Sequence, residues 1–104
     1  MTKISPMQRS LKLLRENGYT CWITEYWNPW SKTKSDLFSF IDIIAIKKNE
    51  TIGVQTTTQA HQAERVKKIL GSKYYPIVKS AKWRVVVHGW RKLKTGWACK
   101  IVEL

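Results

Sequence analysis

Phe40-Ile41-Asp42-Ile43-Ile44-Ala45-Ile46, followed after the polar turn Lys47–Glu50 by Thr51-Ile52-Gly53-Val54-Gln55-Thr56-Thr57, is the stretch that decides the fold. The first run is almost continuously apolar and of strand length, which suits a strand covered on both faces. The second resumes a β-rich pattern, so the pair predicts an antiparallel hairpin near the centre of a sheet. Asp42 is the anomaly within it. A carboxylate among such neighbours costs on the order of several kcal/mol to bury unless a metal, a cation or hydrogen bonds hold its charge.

Upstream, Ser5 before Pro6 predicts an N-cap with proline at the first helical position. Ile4, Met7, Leu11 and Leu14 recur on one helical face until Asn17-Gly18 ends it. Tyr19 to Trp27 is aromatic and β-branched, as strands prefer. Asn28-Pro29 breaks that strand, and the basic polar stretch with Ser31, Lys32, Lys34 and Ser35 is expected to be a mobile loop.

Downstream, Gln59 to Leu70 reads as a helix with Thr58 as N-cap, Ala63, Val66 and Leu70 facing inward, and Gly71 at its end. Trp83 to Trp90 and Trp97 to Val102 alternate as two closing strands about the turn Lys94-Thr95-Gly96. The expected order is α-β-β-β-α-β-β. This is an α/β chain of mixed α+β character, one domain over residues 1–104, with helices flanking a mixed sheet and the second helix as a right-handed crossover.

A chain of 104 residues supports one core and one site. Its 19 lysines and arginines against 7 acids leave a formal charge of +12, a field that attracts phosphate polyanions with an affinity that falls steeply as salt rises. DNA is therefore the leading partner, ahead of a ribosomal surface or an anionic membrane. Met1 to Ser10 lacks the apolar stretch of a signal peptide, and no run reaches the roughly 18 apolar residues of a membrane span, so a cytoplasmic protein is expected. Cys21 and Cys99 have no zinc-ligand spacing and read as reduced buried thiols.

The run Phe40 to Ile46, its turn, and Ile52-Gly53-Val54-Gln55-Thr56-Thr57 resemble the core hairpin of the PD-(D/E)XK nucleases, in particular the archaeal-type Holliday junction resolvases and related small phage nucleases. The flanking helices and strands fit that family's αβββαβ core, so the resemblance covers most of the chain. It implies a restriction-endonuclease-like core and a cytoplasmic, phage-type nuclease. It implies Mg²⁺ or Mn²⁺ as cofactor, Asp42 as principal metal ligand, and a homodimer matched to the two equivalent strands of a junction.

The family's Glu-x-Lys falls at Gln55-Thr56-Thr57, where the charges are missing. Gln55 and the Thr56 carbonyl retain oxygens for a metal, but Thr57 cannot supply the lysine's positive charge, so Arg65, Lys67 or Lys68 from the next helix are the candidate substitutes. The family's first-helix glutamate falls near Gln8 or Glu16, with Glu25 as an alternative acid from the next strand.

The expected catalytic set is thus Asp42, Glu25, Gln55 and Thr57, with Asp42, Glu25 and Gln55 around the metal. Without such a site, Asp42 would pair with a lysine or lie open to water, and Glu25 would point to solvent. His61 and His88 match no ligand spacing. Lys32, Lys34, Arg65, Lys67, Lys68, Arg91, Lys92 and Lys94 are the expected DNA contacts, two groups of them interleaved with tryptophans able to stack on exposed bases. Most of the 6 tryptophans are nevertheless expected in the core.

Two functions follow from these residues. One is a metal-dependent endonuclease that cuts branched or distorted DNA with an activated water. The other is a catalytically inactive DNA-binding module that keeps the nuclease fold. The Gln-x-Thr sequence favours the second and the carboxylates in apolar strands favour the first, whereas an RNA-binding or ribosomal protein needs neither acid.

Overall fold

The hairpin forms, and it lies inside a mixed five-stranded sheet. The structure, a computed structural model, describes residues 4–104. Met1, Thr2 and Lys3, at the amino end read above for a signal peptide, lie outside the described residues. Helix α1 (Pro6–Glu16) starts at a capping box in which Ser5 and Gln8 satisfy each other's backbone amides. Strands β1 (Thr20–Ile23), β2 (Tyr26–Asn28), β3 (Thr33–Ser35), β4 (Ile43–Lys47) and β5 (Glu50–Thr58) follow. A 3-10 turn (Gln59–His61), α2 (Gln62–Leu70) and α3 (Tyr75–Ser80) then lead to β6 (Arg84–Leu93) and β7 (Gly96–Glu103).

The sheet order is β1-β4-β5-β6-β7, antiparallel except for β5 and β6, which run parallel because two helices carry the chain back between them. Alternation along β5 divides the core into two layers. Leu11 and Leu14 of α1 pack on Ile43, Ala45, Ile52, Val54 and Val86, while Ile69 and Val78 of α2 and α3 pack on Phe40, Ile41, Val85 and Val87. Each of the valine, leucine, isoleucine and phenylalanine side chains among them contributes about 1.5–3 kcal/mol by leaving water. Among the described residues no helix is long and apolar enough to cross a membrane.

Several local expectations are corrected. The strand expected from Tyr19 to Trp27 is two strands in different sheets, because the chain turns at Thr24 and Glu25, whose amides both donate to the Asp42 carbonyl. The loop expected to be mobile is half of an antiparallel ribbon, β2–β3, closed by the Asn28 carboxamide, which accepts from the amides of Trp30 and Ser31. The second helix faces the core through Gln62, Val66 and Ile69, leaving Ala63 and Leu70 exposed, because it begins at Gln62 after the 3-10 turn. Thr58 makes no side-chain cap.

The tryptophans are mostly outside the core. Trp90 is buried, but Trp22, Trp27 and Trp30 are 75%, 56% and 94% exposed. Cys21 and Cys99 are free and half-buried, and burial raises both thiols, Cys99 to about 11.

Gly53 is the position where the hairpin tolerates no side chain, since a Cβ there would stand 2.6 Å from Cδ1 and 2.9 Å from Cγ1 of the fully buried Ile41. Gly53→Ala should therefore lower the urea-unfolding free energy by about 1–3 kcal/mol, and Ile41→Val in the same chain should restore part of it. Equal stability of Gly53→Ala and the native chain would contradict this packing.

Candidate metal and DNA site

Asp42 occupies the residue just before β4. Its amide donates to the Val54 carbonyl at 2.9 Å, which holds it in line with the ladder, while its side chain reaches across to Gln55 and Thr56 of β5. There Oδ2 accepts from the Thr56 amide at 2.9 Å, the Thr56 hydroxyl at 3.3 Å and Gln55 Nε2 at 3.1 Å. Asp42 is 4% exposed, and no lysine or arginine forms an ion pair with it among the described residues.

Two more carboxylates arrive by separate routes. Glu25 is brought by the hydrogen bonds that tie its own amide and that of Thr24 to Asp42. Asp36 is brought by a tight reversal in which Leu37 and Ile41 form a β-bridge, so the residues flanking the bridge, Asp36 and Asp42, come together. Phe38 and Ser39 in the reversal have φ of 53° and 69°, an uncommon conformation for residues with a Cβ. One oxygen from each of Glu25, Asp36 and Asp42 lies within 4.8 Å of the others.

The three acids open into a cleft of about 440 Å³ also lined by Gln55, Thr56, Lys34, Arg65, Lys68 and the start of α1 at Ser5 to Met7. Burial pushes Asp42 up to about 7, and the neighbouring Asp36 and Glu25 charges push the same way, against the Thr56 amide. Burial also raises Asp36, as does the neighbouring Glu25 charge, while the Lys68 and Lys34 charges oppose the rise. The Lys34 ammonium, 2.9 Å from Glu25, is raised in turn by that carboxylate. It supplies part of the positive charge that a cation would otherwise bring.

The donor set fits a hard divalent ion. Among the described residues Asp36 Oδ1 and Gln55 Oε1 are buried at the cleft without a hydrogen-bond partner, and unmatched buried oxygens are what Mg²⁺ and Mn²⁺ coordinate. The structure thus brings Asp42, Glu25 and Gln55 together and adds Asp36, which sequence reasoning missed. It does not bring Thr57 to the cleft. That side chain is buried beside Gly89 in the ladder, where Gln62 packs and donates to the Val87 and Lys100 carbonyls. Neither Gln8, which caps α1, nor Glu16 lines the cleft.

Of the expected DNA contacts, Lys34, Arg65 and Lys68 line the cleft, while Lys67 lies exposed elsewhere on α2. Lys32 is at the tip of the β2–β3 ribbon. Arg91, Lys92 and Lys94 project on the part of the β6–β7 hairpin that extends beyond the last β5 pairing, Thr58 with Trp90. Both arms leave the sheet at the end where Asp42 sits. The histidines are elsewhere: His61 is exposed beside Glu64, and His88 is buried on Ser10 Oγ at 2.9 Å, with burial lowering it to about 4. No family model, curated protein or solved structure matches this chain.

The raised Asp42 makes stability depend on pH. The folded chain holds this proton more tightly than the unfolded chain does, so without metal its contribution is lost as pH rises from about 4 to about 7. His88 acts oppositely, since it stays neutral when folded and costs stability as pH falls from about 6.5 to about 4. Comparing Asp42→Asn with the native chain cancels the His88 contribution. In EDTA the stability advantage of Asp42→Asn, measured by urea unfolding, should grow between about pH 4 and pH 7 and then level off. A pH-independent difference would show that the Asp42 carboxyl is not held neutral by its surroundings.

Proposed function

We propose that this chain is a metal-dependent endodeoxyribonuclease with a restriction-endonuclease-like core, acting on branched or otherwise distorted DNA. The observation that carries the reading is the convergence of three of the chain's 7 acids in one cleft of a molecule with charge +12, where Asp36 Oδ1 and the nearby Gln55 Oε1 are buried without a partner among the described residues. Carboxylates repel one another, and ample lysines were available to separate them. The α1, β1, β4, β5, α2, β6 order supports the family resemblance.

Asp42, Asp36 and Glu25 would hold Mg²⁺ or Mn²⁺, with Gln55 Oε1 as a neutral donor. The ion would supply Lewis-acid polarisation of the phosphate and activation of water. Arg65 and Lys68 line the same cleft from α2, where their charge stabilises a phosphate during attack and stands in for the lysine absent at Thr57. With a cation on Glu25, Lys34 would be free to meet a phosphate oxygen instead. Cations on the two arms hold the flanking backbone.

A second reading, the inactive DNA-binding module, is favoured by one contact. Gln55 donates its amide to Asp42, so the position where the family places a carboxylate here hydrogen-bonds the aspartate instead of adding a second negative charge.

Incubation with a four-way junction and with linear duplex, in Mg²⁺ or Mn²⁺, separates the two. The nuclease reading expects metal-dependent nicking that Asp42→Asn and Asp36→Asn abolish without loss of DNA binding, and that Lys68→Ala slows about a hundredfold. Gln55→Glu should raise the rate. Tight binding with no metal-dependent cleavage of any DNA would leave the binding module.

A further inference from the structure

The cleft reading leaves unexplained why the β2–β3 ribbon carries indoles in water. Trp30 is 94% exposed and Trp27 is 56% exposed, and neither ring stacks on another aromatic or lies under a cation among the described residues. Their support is nevertheless ordered. Asn28 Oδ1 accepts from the Trp30 amide at 3.0 Å and the Ser31 amide at 3.4 Å, the Ser31 and Thr33 hydroxyls meet at 2.7 Å, and Lys32 turns the chain at φ 54°. A tight turn thus holds Trp30 out where a disordered loop would let it fold back on the surface.

The ribbon also has a defined relation to the cleft. Trp27 stands directly opposite Lys34 in the β2–β3 ladder, so the two side chains share one face, and Lys34 reaches Glu25 at 2.9 Å. Trp27 therefore stands on the face that adjoins the acidic cleft, with Trp30 and Lys32 beyond it at the tip. Flat rings unpartnered among the described residues, followed along the ribbon by Lys32 and Lys34 and next to the proposed phosphate site, match a strand whose bases are unstacked. A fully paired helix offers its bases no free face for an indole.

We infer that the β2–β3 ribbon is a base-stacking prong: Trp27 and Trp30 bind unpaired nucleotides adjoining the phosphate held in the cleft, and so select DNA with a single-stranded segment at that point. The identity of the polymer rests on the DNA reading above. An anionic bilayer is the poorer fit, because a flat surface meeting the ribbon and the β6–β7 arm would leave the concave cleft between them empty and would face its acids.

The test needs no cleavage. Binding of fluorescein-labelled oligo-dT and of a blunt duplex of equal length is measured by anisotropy in EDTA, with native tryptophan quenching followed in parallel. Trp30→Ala should weaken oligo-dT binding about tenfold and Trp27→Ala/Trp30→Ala further, while duplex binding stays unchanged and Trp30→Phe retains most of the affinity. Thermal melting of Trp30→Ala should match the native chain, since the side chain is almost wholly exposed. Unaltered oligo-dT affinity in the double variant overturns the inference whether or not the protein cuts DNA. So does a ribbon that instead quenches on vesicles of phosphatidylserine and phosphatidylcholine, or a native dimer that Trp30→Ala dissociates without change in oligo-dT affinity. Prong binding without any metal-dependent cleavage would sustain the inference and remove the nuclease reading.

Discussion

The buried carboxylate of Asp42 is the constraint around which the rest is arranged. Its backbone joins the β4–β5 ladder through Val54, its carbonyl receives the amides that turn β1 toward the ribbon, and its side chain caps the Thr56 amide. One residue thus fixes the end of the central hairpin, the departure of the β2–β3 ribbon and the position of Glu25. Removing that charge from water is expensive, and two neighbouring acids make it more so. Folding alone would be better served by an apolar or amide side chain. Such arrangements persist where a cation or a reacting group repays the cost, which is why strained carboxylates mark candidate sites.

Charge is distributed to the same end. Of the remaining acids, Glu50 and Glu103 pair with Arg84 at the opposite end of the sheet, where Tyr19 also donates to Glu50, and Glu16 and Glu64 are exposed on helices. Arg84 thereby joins the starts of β5 and β6 to the end of β7. Among the described residues the lysines and arginines at the cleft end form no ion pair apart from that of Lys34, so positive charge surrounds the three acids. Local negative charge within a positive surround is the arrangement a divalent ion would complete, and with an ion bound that end would suit a phosphate, as the proposed nuclease requires.

The central hairpin was legible because an apolar run of strand length, a polar turn and a second β-rich run leave few alternatives. The first helix was legible from its cap and its apolar face. Asp36 was not, because its approach depends on a five-residue reversal, Leu37 to Ile41, with two non-glycine residues at positive φ, and no local preference announces that geometry. Asn28-Pro29 does end β2, but the residues beyond it return as β3, with the Asn28 side chain closing the ribbon turn. The exposed tryptophans are not legible either, since large aromatics are expected in cores unless a partner is known. Helix α2 was misphased because the preceding 3-10 turn uses three residues without advancing at the α-helical angle. Thr57 illustrates the limit of carrying a motif across: the ladder brings Gln55 to the cleft, but the start of α2 covers the residue two further on.

The claim on which the account turns is that Glu25, Asp36 and Asp42 form one divalent-cation site. Crystals soaked in Mn²⁺ and measured at a wavelength where manganese scatters anomalously test it most directly. The account predicts one strong anomalous peak among the three carboxylates, with Lys34 displaced from Glu25 and the Asp36 oxygen that now lacks a partner in contact with the ion. A cleft without a peak at saturating Mn²⁺, with Lys34 still seated on Glu25, would contradict it.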